Sequence, residues 1–195
     1  PSPKYGASVV STASLRSWLA LRAIRGLGDA TVCRLVQAFG SPEAVLAAST
    51  DALMASGNVN ASLAQALQRG PDHQTQQDIN RELKTLERLR LSVVTCLDPD
   101  YPPRLRNIPD PPPLLFVSGA LAQADHNAVA IVGARRATAA GRLLTEELSR
   151  DLASAGFTIV SGLARGVDAA AHRGAIASGG RTVAVLGCGI DLTYP

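Results

Sequence analysis

The sequence predicts an α/β protein in which a small all-helical domain precedes a doubly wound parallel sheet. Three observations predict it. Residues 14–70 show only helical periodicity, punctuated by caps and glycines. From residue 129 onward, short apolar runs alternate with helical patterns, the pattern of a parallel sheet whose strands are buried on both faces. Each of those runs ends in a glycine-containing loop, as strand-to-helix turns require.

Taken in order, residues 1–13 are small and polar with two prolines and read as a loose arm. A helical pattern follows Ser14, with Leu15, Leu19 and Ala23 on one side, and stops at Gly26-Leu27-Gly28. Asp29 then caps a second helix carrying Val32, Leu35, Val36 and Phe39 up to Gly40. Two helices joined through Ile24, Gly26, Leu27 and Gly28 resemble a helix-hairpin-helix, whose glycines permit a tight turn and close approach of a phosphate to backbone N–H groups. Ser41-Pro42-Glu43 supplies a cap, a proline at the first helical position and a first-turn acid for a short third helix. Further helices fall near 50–55 and 60–69. A longer one spans 72–91, with Ile79, Leu83, Leu86 and Leu89 as its apolar stripe. Residues 92–97 and 114–117 read as strands that extend the sheet on one side. They are separated by proline-rich breaks at 98–103 and 110–113.

The last third supplies strands at 129–133, 157–160 and 182–186 and helices at 138–155 and 167–178. Leu143, Leu144, Leu148 and Leu152 are expected to face inward from the first of these helices. The chain thus divides into a helical domain (14–70), a connecting helix with accessory strands (71–128) and the first βαβαβ part of a Rossmann-like domain (129–195). A sheet that stopped at its third strand would leave an edge bare, so the pattern predicts further sheet beyond Pro195.

Composition narrows the function classes. The chain is 46% hydrophobic and 18% charged, the balance of a globular protein with a true core. Its apolar runs are too short to cross a bilayer, and the N-terminus has no charged patch followed by an apolar leader. A cytoplasmic protein without membrane attachment is expected. Cys33, Cys96 and Cys188 are scattered, as are His73, His126 and His172, and they form neither a disulfide frame nor a metal-ligand pattern. Net charge is only +3, which permits a polyanionic partner without requiring one. Residues 129–195 hold seven arginines, five acids and no lysine. Arginine offers a planar fork of donors that suits phosphate, although a codon bias toward arginine would give the same ratio.

In open α/β sheets ligands bind beyond the C-terminal ends of the strands. Here those ends carry Gly133-Ala134-Arg135-Arg136-Ala137-Thr138, then Ser161-Gly162-Leu163-Ala164-Arg165-Gly166, then Gly187-Cys188-Gly189. Glycine lets backbone approach a ligand, and the helix that follows directs its positive end there. One such loop alone is ordinary turn chemistry; three neighbours, two of them with arginine, describe a cradle for anionic phosphates. The first loop lacks the dinucleotide fingerprint GxGxxG, and no GxxxxGK(S/T) loop is present. NAD, FAD and Walker-type ATP binding are therefore disfavoured, and no cofactor is expected. Asp168 and His172 lie four apart on one helix face. They read as an intrahelical polar contact with the acid facing the helix dipole.

Five stretches resemble motifs of the DNA-processing protein A (DprA/Smf) family. IVGARRAT (131–138) resembles its IVGSR-x-x-S/T, with Gly141 at a later glycine. IVSGLARGVDAAAH (159–172) resembles IVSGLA-K/R-G-I/V-D-x-x-x-H, and TVAVLGCGIDLTYP (182–195) resembles T-x-AVLG-x-G-I/L-D-x-x-YP. DPDYPPRL (98–105) and PLLFVSG (113–119) also fit, and 14–70 is similar, more loosely, to the family's SAM- or helix-hairpin-helix-like N-terminal domain. The resemblance implies an extended Rossmann fold that dimerises, here through the part beyond residue 195. It implies a nonenzymatic mediator that binds single-stranded DNA, protects incoming strands in natural transformation and helps load RecA. By motif, Arg135 and Arg165 would contact phosphates, with Gly133, Ser161 and Gly162 giving backbone or hydroxyl donors and Thr138 completing the first loop. Ala134 and Ala140 depart from the pattern and remove a hydroxyl and an aromatic ring there. Aromatic residues make up only 4% of the chain, so binding is expected to lean on phosphates and to be salt-sensitive with little base specificity. The competing class is a nucleotide-phosphate-hydrolysing enzyme of the LOG/lysine-decarboxylase-like type, whose PGGxGTxxE signature is not found in these residues. A third reading makes 14–70 a protein-interaction module without DNA contact.

Overall fold

The structure, a computed structural model, describes residues 11–192. The chain forms two compact units, residues 1–121 and 122–195. The expected loose arm lies almost wholly outside the described residues, and so do Tyr194 and Pro195. No described helix is long and apolar enough to cross a membrane.

The first unit opens with α1 (Thr12–Ala23), which begins ahead of the start expected after Ser14. The Ser11 hydroxyl accepts the Ser14 N–H and caps the first turn, so the helix takes in the residues between them. α2 (Asp29–Phe39) ends at Gly40, which takes the left-handed conformation and donates its N–H to the Val36 carbonyl. α3 (Pro42–Ala47), α4 (Thr50–Ala55), α5 (Ala61–Arg69) and α6 (His73–Arg88) are capped in turn by Ser41, Ser49, Asn60 and Asp72. Leu19, Leu21, Val32, Leu35, Val36, Val45, Leu53 and Leu67 form the bundle's buried centre. Arg22 ties α1 to α6 through both carboxylate oxygens of Glu82, at 2.7 and 2.8 Å.

β1 (Ser92–Thr95) and β2 (Leu114–Val117) pair antiparallel, with Ser92 opposite Val117 and Thr95 opposite Leu114. They form a two-stranded sheet of their own and do not extend the parallel sheet. The short α7 (Pro103–Arg106) lies between them. The break at 110–113 is a strap whose acceptors are matched one by one. Asp110 Oδ1 accepts Ala30 N–H (2.8 Å), Pro111 O faces the Cys33 thiol (3.5 Å), Pro112 O accepts Tyr101 O–H (2.8 Å) and Pro113 O accepts Cys96 N–H (3.0 Å). The prolines bring no N–H of their own that would need a partner.

The second unit runs from a 3-10 turn (Gln123–His126) through β3 (Ala128–Ala130), α8 (Ala139–Ser154), β4 (Thr158–Ser161), α9 (Val167–Ala177) and β5 (Thr182–Ala184). The strands are parallel in the order β3-β4-β5, with Val129 beside Ile159 and Ile159 beside Thr182. Strands that are neighbours in sequence and in space, linked by crossovers of one hand, bring both helices to one face. α8 and α9 accordingly pack on each other: a Cβ on Gly174 would run into the Glu146 carbonyl and come within 2.9 Å of Ser149 Cβ. The small core beneath them is Ala153, Ile159, Ala171 and Ala175, joined by Ile131 and Leu152. Ala130, Val132 and Val185 are exposed.

The expectation for α8 is corrected at three positions. Leu143, Leu144 and Leu148 are 63%, 67% and 50% exposed, and of the four leucines Leu152 alone packs on the core. The close approach to α9 runs through Ser149 and the Glu146 backbone, and the leucines lie off that line of contact.

Candidate nucleic-acid interface

Parallel strands bring their C-terminal ends to one edge, and here the first two loops interlock at that edge. Gly166, at φ +85°, sits against the carbonyls of Ala134 and Arg135; a Cβ there would lie 2.6 Å from Arg135 O. The Val167 N–H donates to Ala134 O at 3.2 Å. A Cβ on Gly133 would meet the Val167 side chain at 2.8 Å. These glycines are therefore required by loop-on-loop contact. The end of β5 adjoins the same edge, since the position a Gly162 Cβ would take lies 3.8 Å from Val185 O.

Arg135, Arg136 and Arg165 are all exposed on these loops, so the arrangement gathers guanidinium groups on two touching segments. The other expected contributors hold the frame. The Ser161 hydroxyl is buried and donates to Ile131 O at 2.6 Å, tying β4 to the end of β3. The Gly162 N–H donates to Asp168 Oδ2 at 3.1 Å. Thr138 caps α8 by accepting the Gly141 N–H at 3.1 Å. The donor groups expected of Ser161 and Gly162 are thus engaged inside the fold.

Asp168 and His172 do not pair as a simple intrahelical contact. Asp168 Oδ2 accepts the N–H groups of Gly162 and Ala164 (3.1 and 3.5 Å), gripping the second loop from the first turn of α9. Leu163, between those two amides, has φ +57°, a left-handed conformation that branched residues rarely adopt. His172 Nδ1 lies 2.8 Å from Thr182 Oγ1, which itself donates to Ile159 O at 2.7 Å. The hydroxyl proton is thereby used, so Nδ1 is the protonated nitrogen, and Nε2 is buried without a hydrogen-bond partner. Burial lowers the His172 pKa from its ordinary value, against the opposing pull of Asp168 and the Ser161 backbone. Cys188, on the third loop, is a free exposed thiol.

The α1–α2 hairpin has the geometry anticipated from its glycines, with Gly26 at φ +85°. The Ala30 N–H at the start of α2, however, is occupied by Asp110. Asp29 beside it has a raised pKa, from burial first and from Asp110 second, partly offset by Arg22. Neither the Asp110 contact nor the Asp168 grip is legible in the sequence. The only signal for the latter is an acid in the first turn of a helix that follows a glycine loop.

A family model described as DNA recombination-mediator protein A matches residues 92–195. The chain is 37% identical over 182 residues to Protein Smf of Synechocystis sp. (strain ATCC 27184 / PCC 6803 / Kazusa), covering 91% of this chain and 45% of that protein. It is 43% identical over 101 residues to DNA processing protein DprA of Streptococcus pneumoniae (strain ATCC BAA-255 / R6), covering 52% of this chain and 36% of the relative. The X-ray structure of DNA processing protein A from Streptococcus pneumoniae matches with a TM-score of 0.70 at 29% identity, over 93% of this chain and 60% of that one. The chain therefore spans less than half the length of these two curated relatives.

Proposed function

Since the chain belongs to the DNA recombination-mediator protein A family, we propose that the loop edge of its parallel sheet holds the phosphates of single-stranded DNA. Arg135 and Arg165 are the contacting groups in this reading. Gly133, Thr138, Ser161 and Gly162 set the loops on which they stand. The observation that carries it is the interlock of Gly166 with the Ala134 and Arg135 carbonyls, which puts exposed Arg135 and Arg165 on touching loops. Exposed arginines carried on two touching loops suit a polyphosphate chain better than a single small anion. The protein acts as a mediator, not as an enzyme: it coats and protects incoming strands in natural transformation and assists the loading of RecA, and it works as a homodimer in the cytoplasm.

The test is fluorescence anisotropy of the full-length protein with single-stranded oligonucleotides across a salt series. Arg165→Ala and Arg135→Ala are each expected to weaken binding and to lower the slope of log affinity against log salt by about one. Unchanged affinity and slope in both variants would reject the assignment.

A further inference from the structure

We propose that Leu163 is the base-contacting residue of this edge, an apolar side chain on which a nucleobase of the bound strand packs. The inference rests on the phosphate reading above and deepens it. Of the described residues other than glycine, only Arg90 and Leu163 have positive φ. At Leu163 this backbone is disfavoured by the branched side chain, whereas glycine would adopt it freely. The conformation is held from outside, because the N–H groups on either side of Leu163 both donate to Asp168 Oδ2. Such enforced strain is ordinarily repaid by burial, yet Leu163 remains 39% exposed. A large apolar side chain held in a disfavoured conformation and still partly open to solvent at a candidate ligand edge points to a use beyond packing.

Its neighbours say what. Leu163 stands two residues before Arg165, on the loop that touches Ala134 and Arg135. A strand whose phosphates meet those arginines presents its unpaired bases beside the same loop. Every base has an apolar face, so one leucine serves any sequence. Among the described residues these loops carry no aromatic side chain, and Leu163 supplies the apolar surface a ring would otherwise give.

Two variants test this in the full-length protein. Leu163→Gly removes both side chain and strain. Leu163→Asn keeps a residue tolerant of left-handed backbone and removes the apolar surface. Binding is read by anisotropy with an oligo-dT strand and with an abasic tetrahydrofuran strand of equal length, alongside Arg165→Ala and Arg135→Ala. Both Leu163 variants are expected to lose about three- to tenfold in affinity for oligo-dT and less than about twofold for the abasic strand. A leucine that served only to hold the loop would weaken both strands alike. Equal losses on both strands, or no loss on either, would overturn the inference while leaving the arginine assignment intact. Unaffected binding in both arginine variants would instead remove the phosphate reading beneath it.

Discussion

At Asp125 a single carboxylate holds together three parts of the second unit. Oδ1 accepts from Arg181 Nε (2.5 Å) and Thr158 Oγ1 (3.1 Å), and Oδ2 accepts from Arg181 Nη2 (2.7 Å) and the Ala122 N–H (2.8 Å). Burial pushes the Asp125 pKa up, but the Arg181 and backbone bonds outweigh it, so the net shift is downward. A carboxyl with a depressed folded-state pKa contributes stability that is present above its unfolded pKa, about 3.9. That contribution is lost as pH falls through the folded value. Asp125→Ala is expected to cost about 1–3 kcal/mol at pH 7, less than the ~3–5 kcal/mol of a fully buried pair, because Arg181 keeps 38% of its side chain in water. Urea titrations at pH 7 and near pH 3 should show the wild-type advantage over the variant shrinking at the lower pH; an advantage that persisted there would contradict this role. Residues of this kind show where sequence reading stops. The exposure of Arg135 and Arg165 is legible because a charged residue on a strand-end loop reaches solvent. The Gly162 amide is not, because nothing in the residue itself reveals that an acid six positions later already occupies it.

Between elements, the seam of α8 and α9 decides the orientation of the helices on the sheet. Leucine periodicity predicted an inward stripe, on the premise that the largest apolar groups seek the core. The helices instead meet where side chains are smallest, at Gly174 and Ser149, and the closest approach there is made by backbone. Gly174→Ala tests this balance. In an open helix the change would stabilise by about 1 kcal/mol. Here the new methyl would press on the Glu146 carbonyl, which cannot swing aside as a flexible side chain would, and overpacking of this kind costs about 1–3 kcal/mol. Net destabilisation is expected in thermal or denaturant unfolding, and a gain in stability would show that the seam yields. Helix and strand positions themselves were read closely, as with the helix expected at 167–178 and found at Val167–Ala177, because caps and breakers act locally. The rotation of a helix about its axis depends on its partner and is not a local property.

For the molecule as a whole, two separate cores imply two stabilities. The first unit buries Trp18, Leu19, Leu21, Leu35, Leu53 and Leu67 in one large cluster. The second rests on Ala153, Ile159, Ala171 and Ala175, and burial of apolar area sets the scale of what each can gain. In a protein made of these 195 residues alone, native-state hydrogen exchange is therefore expected to open β3–β5, α8 and α9 at lower free energy than α1–α6. Equal protection in both units would count against independent cores. The alternation of strands and helices gave the α/β class and the parallel sheet directly. That β1 and β2 would pair only with each other was not legible, since a strand's partner is chosen by tertiary context.

The proline strap at 110–113 carries one last implication, for tolerance to change. With Asp110 on α2 and Pro112 and Pro113 on Tyr101 and Cys96, it stitches the bundle to the hairpin using acceptors only. Replacing any of its three prolines with another residue adds an amide hydrogen to a crossing whose own carbonyls are already engaged. Beyond the loss of the ring itself, such a substitution introduces a new demand, and the hairpin would have to loosen or admit solvent to meet it.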